Sequence, residues 1–409
     1  MTGETSRVAI VMDHPAQQFT RSLQFLSDKP DTQLQVYYWS VASRMYDVGF
    51  DRSISWDVDI LNGYTWAVAR GRSAVGRMCW LVSQLRAMPP EVVICYGWAS
   101  PIARASIIYS LLTRTRILLY GDTTWQHVSR GHRRLIRSMA LRILMRLSTG
   151  AISTGTFNRE FYIRYGMNPR RIWPGVCPAD TDLFGRTRSD PHDVFGEGQP
   201  LRIGFAGKLI PRKGVDELLR ASALLPRARD WSVTVVGDGP LMPELKALAE
   251  QLKLSDRVTF HGFANTSEMP KLLAGFDVVV VPSRLDMRVL VTIEAMAAGS
   301  AVVVSDATAV WGPGDLIQDG VTGLVYRSGD PAALARQLCR LLDEPGLLAG
   351  LRRSGTERSA GFGPDAFART MASAARICLG RADAAANTTF HLDSVLDPRS
   401  SNGKRSPER

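Results

Sequence analysis

Two pairs of residues in this chain have types and spacing suited to chemistry on a phosphorylated ligand. Lys208 and Lys213 fall in FAGKLIPRKGVDELL, overlapping the end of the apolar run LRIGFAG. Of 50 basic residues only seven are lysine, so two within six positions stand out. An ammonium is a compact charge with rotatable donors, which suits a flexible diphosphate. In the second pair, Asp286 and Glu294 are separated by seven residues in DMRVLVTIE. With a helix starting near Val289, Asp286 lies in the loop before it and Glu294 more than one turn inside, on the cleft side. One acid can then meet a sugar hydroxyl and the other a nucleotide ribose. The amides of Val289, Leu290 and Val291 would face a phosphate, aided by the roughly half-unit positive charge of a helix N-terminus. Each pair also fits a plainer role, as solvated loop lysines and as carboxylates serving a cap and a surface pair.

The elements that must position these residues read as parallel βαβ units. In the first half, strand-like runs occur at RVAIVMD, LQVYYW, EVVICYG, RILLYGD and GAIST, separated by helix-length segments. The second half repeats the plan with LRIGFAG, WSVTVVGDG, RVTFHGF, DVVVVPS, AVVVSD and TGLVYR. Alternation of this kind predicts open parallel sheets covered on both faces, here two Rossmann-like doubly wound domains in tandem facing a cleft. Ligands of such domains bind outside the carboxyl ends of the strands, which is where Lys208 and Lys213 fall. The linker is RTRSDPHDVFGEGQP, at 186–200. The expected division is 1–190 for an acceptor-binding domain, 191–361 for a donor domain, a helix at 362–380 packing back toward the first domain, and a mobile tail at 381–409.

Composition narrows the function classes. Charged residues make up 22% and hydrophobic residues 45%, as in a soluble globular protein. Five scattered cysteines without C-x-x-C spacing argue against a zinc site or a disulfide framework and for a reducing cytoplasm. No secretion signal is expected, since the N-terminus runs straight into a strand-like segment. The net charge is +11, and from Arg104 to Arg146 nine arginines face a single acid, Asp122. An anionic partner of the first half follows. DVD at 57–59 and DTD at 180–182 lack the strand context of a metal-binding D-x-D motif, and GDGP at Gly237 to Pro240 is a weak dinucleotide signal, so no metal or other cofactor is implied.

Seven motifs in order, GKLIPRKG, VVGDGP, VTFHGF, VVVVPS, DMRVLVTIE, AMAAGSAVVVSD and LIQDGVTGLVY, resemble those of family 4 of the retaining glycosyltransferases, which have the GT-B fold. The resemblance covers about residues 203–361. It implies a nucleotide-sugar co-substrate, UDP- or GDP-linked. Gly207, Lys208, Lys213 and Gly237 would surround the diphosphate and Glu294 would take the ribose. Asp286 would meet the donor sugar, Val289, Leu290 and Val291 the phosphate, and the backbone near Phe263 the base. Departures from the family pattern are Asp286 and Asp315 where glutamate is usual, Lys208 for arginine, and Val289 for glycine.

The first half resembles the family less. The histidine that many members place near the reacting carbon has no counterpart, since Tyr120, Gly121 and Asp122 occupy its place and His127 lies further on. Asp122 is the leading catalytic and acceptor-side candidate beside Asp286, Lys208 and Lys213. It could orient the acceptor hydroxyl, act as a base, or cap the next helix. His14 and His127 are further acceptor-side candidates, and GFDRSISWDVDILNGY looks like an acceptor-side loop without assignable roles. Arg130, Arg133, Arg134 and Arg137 share helical spacing, with Leu135, Met139 and Ile143 left to another face, a pattern that suits docking on an anionic membrane at its inner face. A solvated basic face beside a packed core is the plainer reading. The expected function is retaining transfer of a sugar to an acceptor hydroxyl, on a lipid-linked intermediate, glycan or natural-product scaffold. An epimerase or phosphorylase of the same fold is the alternative. A nucleic-acid partner is not expected, for want of aromatics interleaved on a basic groove.

Overall fold

The structure is a computed structural model and describes residues 4–382 apart from 42–44, 48, 51, 55, 56, 58, 125–132, 188–199 and 288. The first half runs β1 (Ser6–Met12), α1 (Gln17–Ser27), β2 (Thr32–Tyr38), β3 (Met45–Asp47), β4 (Arg52–Ile54), β5 (Trp66–Val68), α2 (Ala74–Ala87), β6 (Val92–Tyr96), α3 (Pro101–Thr113), β7 (Arg116–Gly121), α4 (Arg133–Leu147), β8 (Gly150–Ser153), α5 (Thr156–Arg164), β9 (Ile172–Pro174) and α6 (Thr181–Gly185). The second half runs β10 (Leu201–Ala206), α7 (Val215–Ser222), β11 (Trp231–Val236), α8 (Met242–Gln251), β12 (Val258–Gly262), α9 (Met269–Ala274), β13 (Val278–Val281), α10 (Leu290–Ala297), β14 (Ala301–Ser305), β15 (Leu324–Tyr326), α11 (Pro331–Asp343), α12 (Pro345–Ser359) and α13 (Pro364–Cys378).

Among the described residues these strands form two parallel sheets, ordered β5-β2-β1-β6-β7-β8-β9 and β12-β11-β10-β13-β14-β15, plus an antiparallel β3–β4 hairpin. Continuous Val-rich runs suit strands covered on both faces, and β13 is buried at every position. In each sheet the strand order reverses once, between β1 and β6 and between β10 and β13. A reversal opens a crevice at the carboxyl ends of the two central strands; the loops after β10 and β13 carry Lys208, Lys213 and Asp286, and α10 carries Glu294.

The ends of the chain tie the halves together. α13 lies against α1, with the Phe367 ring edge-on to Phe19 and Tyr120 at 5.9 Å each. Arg376 pairs with Asp31 at 2.6 Å, and Arg381 reaches Glu91 at 2.7 Å, so the packed chain extends to the first residue of the expected tail. Residues 383–409 of that tail lie outside the described residues. α6 precedes the linker in sequence, yet it packs on α9 and α10 of the second sheet's domain. One apolar core runs through the interface, joining Val176 and Phe184 to Ile293, Met296 and Ala297. Behind α10, the fully buried Arg352 of α12 donates to the Gly299 carbonyl at 2.7 Å. A buried guanidinium needs such partners, and this one fixes the far end of the helix that carries Glu294.

Candidate functional site

Backbone geometry sets where the two lysines stand. Beyond β10, residues Pro211–Lys213 form a short 3-10 turn that ends on Gly214 at φ +67°. A Cβ at Gly214 would lie 2.0 Å from the Pro282 carbonyl oxygen, so only glycine lets this turn approach the loop after β13. Gly237, at φ +137°, is equally constrained, because a Cβ there would lie 1.8 Å from the Gly207 carbonyl oxygen. Close packing of these loops brings Lys213 onto Asp286, with Nζ to Oδ2 at 2.5 Å. Arg212 stands 3.4 Å from the other carboxylate oxygen, and the Ser283 hydroxyl donates to Oδ2 at 3.3 Å. Asp286 is only 5% exposed, so its carboxylate serves these cations.

Lys208 is held from the other domain. Its Nζ lies 2.6 and 2.8 Å from the two carboxylate oxygens of Asp47, at the end of β3, and 5.0 Å from the centre of the Phe50 ring. Phe50 in turn meets Phe263 edge-on at 5.3 Å.

These residues border one cleft of about 1040 Å3. Its second-domain wall includes Gly207, Lys208, Lys213, Gly237, Phe263, Val289, Leu290, Val291 and Glu294, and the first domain contributes Gln17 and Phe50. Val289 is the N-cap of α10, with no side-chain cap and no acid in the first turn, so the positive end of the helix is offered to the cleft. Glu294 stands in the wall without a hydrogen-bond partner among the described residues. Enclosure of its carboxyl, and secondarily the nearby Asp180 carboxylate, push it up to about 7. Asp180 caps α6 through the Leu183 amide at 3.1 Å. A polar side chamber of about 700 Å3, lined by Gln17, Arg21, Asp59, Asp180 and Thr266, opens at Glu294.

Asp122 follows β7 and lines a small adjoining interdomain cavity with Met287, Val289, Leu290 and Asp315. It thereby faces the N-terminus of α10 from the first domain. Asp315 bridges the domains: its Oδ1 accepts from the Thr156 amide at 2.9 Å and so caps α5 from across the interface. Burial pushes the Asp315 carboxyl up to about 6, against the lowering effects of Thr156 and Arg358. His14 is exposed in the loop after β1. His127 and Arg130, and the side chains of Arg133 and Arg134, lie outside what the structure describes.

The site thus brings together Lys208, Lys213, Gly207, Gly237, Phe263, Glu294 and the start of α10, with Asp286 behind Lys213 and Asp122 in the adjoining cavity. Sequence reasoning missed Asp47 and Phe50. For Phe50 the signal available was the GFDRSISWDVDILNGY stretch, in which it falls; Asp47 precedes that stretch.

α4 departs from the packed-core reading. Leu141 and Met145 face the core, while Leu135, Ile136, Met139, Ile143 and Leu147 are exposed at 54–73%. The plainer expectation, apolar residues packed away beneath a basic face, therefore fails for Leu135, Met139 and Ile143. No helix among the described residues is long and apolar enough to cross a membrane.

Known proteins share the fold and part of the sequence. Residues 200–344 match the family described as glycosyl transferases group 1. Alpha-D-kanosaminyltransferase of Streptomyces kanamyceticus is 32% identical over 169 residues, 41% of this chain and 43% of the relative. The D-inositol 3-phosphate glycosyltransferase of Salinispora tropica is 33% identical over 236 residues, 52% and 47% of the two chains. In these alignments the chain spans about half the length of the curated relatives it matches. Among solved structures, Anabaena HepE in complex with UDP superposes with a TM-score of 0.70 at 18% identity, covering 90% of this chain and 99% of HepE. A glycosyltransferase from Rickettsia africae gives the same TM-score at 14% identity, over 92% and 100% of the two chains. The chain therefore has the GT-B fold of two facing Rossmann-like domains, and residues 200–344 of its second domain are similar to the glycosyl transferases group 1.

Proposed function

We propose that the chain transfers a sugar from a nucleoside diphosphate sugar, UDP- or GDP-linked, to an acceptor hydroxyl with retention of anomeric configuration. The observation that carries this reading is the convergence of Lys208, Lys213 and the N-terminus of α10 on one cleft whose wall holds Glu294. The UDP complex of HepE supports the nucleotide, and the family resemblance supports retention. When the bond between the anomeric carbon and the diphosphate oxygen breaks, negative charge gathers on the departing phosphate. Lys213, fixed by a buried carboxylate, and the α10 amides meet that charge without reorganising, which is how an enclosed site lowers a barrier. Asp286 acts in this scheme through Lys213, and Glu294 accepts from ribose hydroxyls. Asp122, beside the α10 N-terminus, orients the acceptor hydroxyl or takes its proton. Neutralisation of the leaving group rests on ammonium groups and helix amides, without a metal. Incubation with a panel of UDP- and GDP-sugars, following nucleoside diphosphate release, tests the activity. A protein of intact fold that releases none from any donor would refute it.

The acceptor is a hydroxyl presented at an anionic membrane surface. Support comes from α4, where Ile136, Met139, Ile143 and Leu147 are exposed on the same helix as the exposed Arg137, Arg142 and Arg146. α3 adds Ile108 and Leu112, 52% and 78% exposed. An apolar stripe beside arginines matches a headgroup layer over acyl chains. Sedimentation with phosphatidylglycerol vesicles should be strong at low salt and weak at high salt, and lost in Ile136→Glu. Absence of salt-sensitive binding would point instead to a soluble acceptor.

A further inference from the structure

The contact of Asp47 with Lys208 is unusual for a site meant to hold a diphosphate, because an anion already occupies it. Both partners are partly exposed, Lys208 at 30% and Asp47 at 26% of the side chain, so burial does not force them together. The local chain is arranged to present the carboxylate. Asp47 Oδ1 accepts from the Gly49 amide at 2.8 Å and from Phe50 at 3.3 Å, which closes the turn after β3. Phe50 then lies beneath the ammonium at 5.0 Å and edge-on to Phe263 at 5.3 Å. Further along the loop, Asp57 accepts from the Ser267 amide at 3.3 Å and from its hydroxyl. Asp47, Phe50 and Asp57 of the first domain thus all contact the second domain, with the Asp47 carboxylate on one of the two lysines of the donor cleft. Partial burial pushes the Asp47 carboxyl up, but Lys208 and the two amides outweigh it and hold it below the ordinary range, so it is an anion at neutral pH.

We infer that Asp47 is a positioning residue for donor turnover: it keeps the Lys208 ammonium at the phosphate position, is displaced when a nucleoside diphosphate binds, and by returning helps the product leave. This rests on the reading that Lys208 and Lys213 hold a diphosphate. A lysine ammonium has three donors, and the two Asp47 oxygens engage it closely, so a diphosphate and Asp47 compete for one cation. A diphosphate must break the Asp47–Lys208 ion pair to gain that ammonium, so Asp47 weakens diphosphate binding through Lys208 without weakening the sugar or base contacts. Among the described residues Lys213 has no such competitor from the other domain, and its partner Asp286 is buried within the donor domain.

Calorimetric titration with UDP and with GDP tests this in the full chain. The probe that binds wild type should bind Asp47→Asn up to about fivefold tighter, as release of the Lys208 ammonium from a partly exposed ion pair predicts. Asp47→Glu, which restores the charge, should return toward wild type. In a Lys208→Met background the Asp47→Asn change should have no effect. With the donor that turns over, Asp47→Asn should lower KM and kcat together, as expected when product release slows. Unchanged or weaker binding in Asp47→Asn, or equal tightening in the Lys208→Met background, overturns the inference while leaving the donor reading intact. Binding of neither UDP nor GDP to wild type removes the donor reading, and this inference with it.

Discussion

The two lysines of the cleft sit in contrasting settings. Lys213 is anchored from inside its own domain, by a carboxylate 5% exposed and by a turn that only glycine permits. Lys208 is anchored from the opposite domain, by a partly exposed carboxylate on a short hairpin. The first arrangement is built into the donor domain and persists whether or not the domains move. The second exists only while the hairpin contacts the donor domain. The same ammonium chemistry therefore has two roles: Lys213 is permanent charge for a leaving group, and Lys208 is charge whose availability depends on the partner domain.

Mutations should separate these roles, beginning with the largest effect. Lys213→Ala should reduce turnover by about 10²–10³-fold, the usual loss when one preorganised donor to a developing charge is removed, with circular dichroism unchanged. A near-normal rate would place the leaving-group charge on Lys208 alone and reverse the comparison. Asp286→Asn keeps the shape and removes the charge that fixes Lys213, and a smaller loss of about 10–10²-fold in kcat is expected, by the precedent that positioning groups matter through geometry. If donor KM alone changes, Asp286 contacts substrate directly.

Glu294 sharpens the contrast through pH. Burial, and secondarily Asp180, push its carboxyl up to about 7, so lowering pH through 7 converts the hydroxyl-accepting carboxylate to the acid. UDP affinity should therefore fall on acidification, by up to about tenfold per unit below that value, and Glu294→Gln should flatten the profile. A wild-type profile flat between pH 6 and 8 would contradict this placement.

The smallest effect concerns the interdomain frame on which the Lys208 contact depends. The Asp315 carboxyl is raised to about 6 from an ordinary 3.8, mainly by burial, so between those values the folded state holds more protons than the unfolded. Its contribution to stability therefore declines as pH rises through that window. Asp315→Asn keeps the acceptor for Thr156 without the buried charge. Denaturant titration should find it more stable than wild type at pH 7.5, by on the order of 1 kcal/mol, with the gap closing toward pH 4. A gap that does not change with pH would show that the carboxylate is ionised at little cost.

What could be seen in the sequence follows the same division. The donor domain was legible because its central strands β13 and β14 are buried on both faces and read as unbroken Val-rich runs, which with β10 place Lys208, Lys213 and Glu294 at strand ends and one helix turn in. The direction of the Asp286 carboxylate was not legible. Spacing puts it before α10, but only the close approach of Gly214 to Pro282 turns it toward Lys213. The Asp47 contact was hidden for another reason, since it joins residues 161 apart through a hairpin of three-residue strands with little periodicity to detect. In α4 the arginine spacing was visible. Which apolar residues turn outward was not, because Leu141 and Met145 claim the buried face and leave Leu135, Met139 and Ile143 in solvent.

The central claim is that one diphosphate is gripped in this cleft by Lys213 and the α10 amides. Titration of wild type and Lys213→Ala with UDP and GDP at neutral pH tests it most directly. Saturable one-to-one binding by wild type, weakened at least tenfold in the variant, is the predicted result. Binding of equal strength by both proteins, or no heat from either nucleotide with wild type, would contradict it.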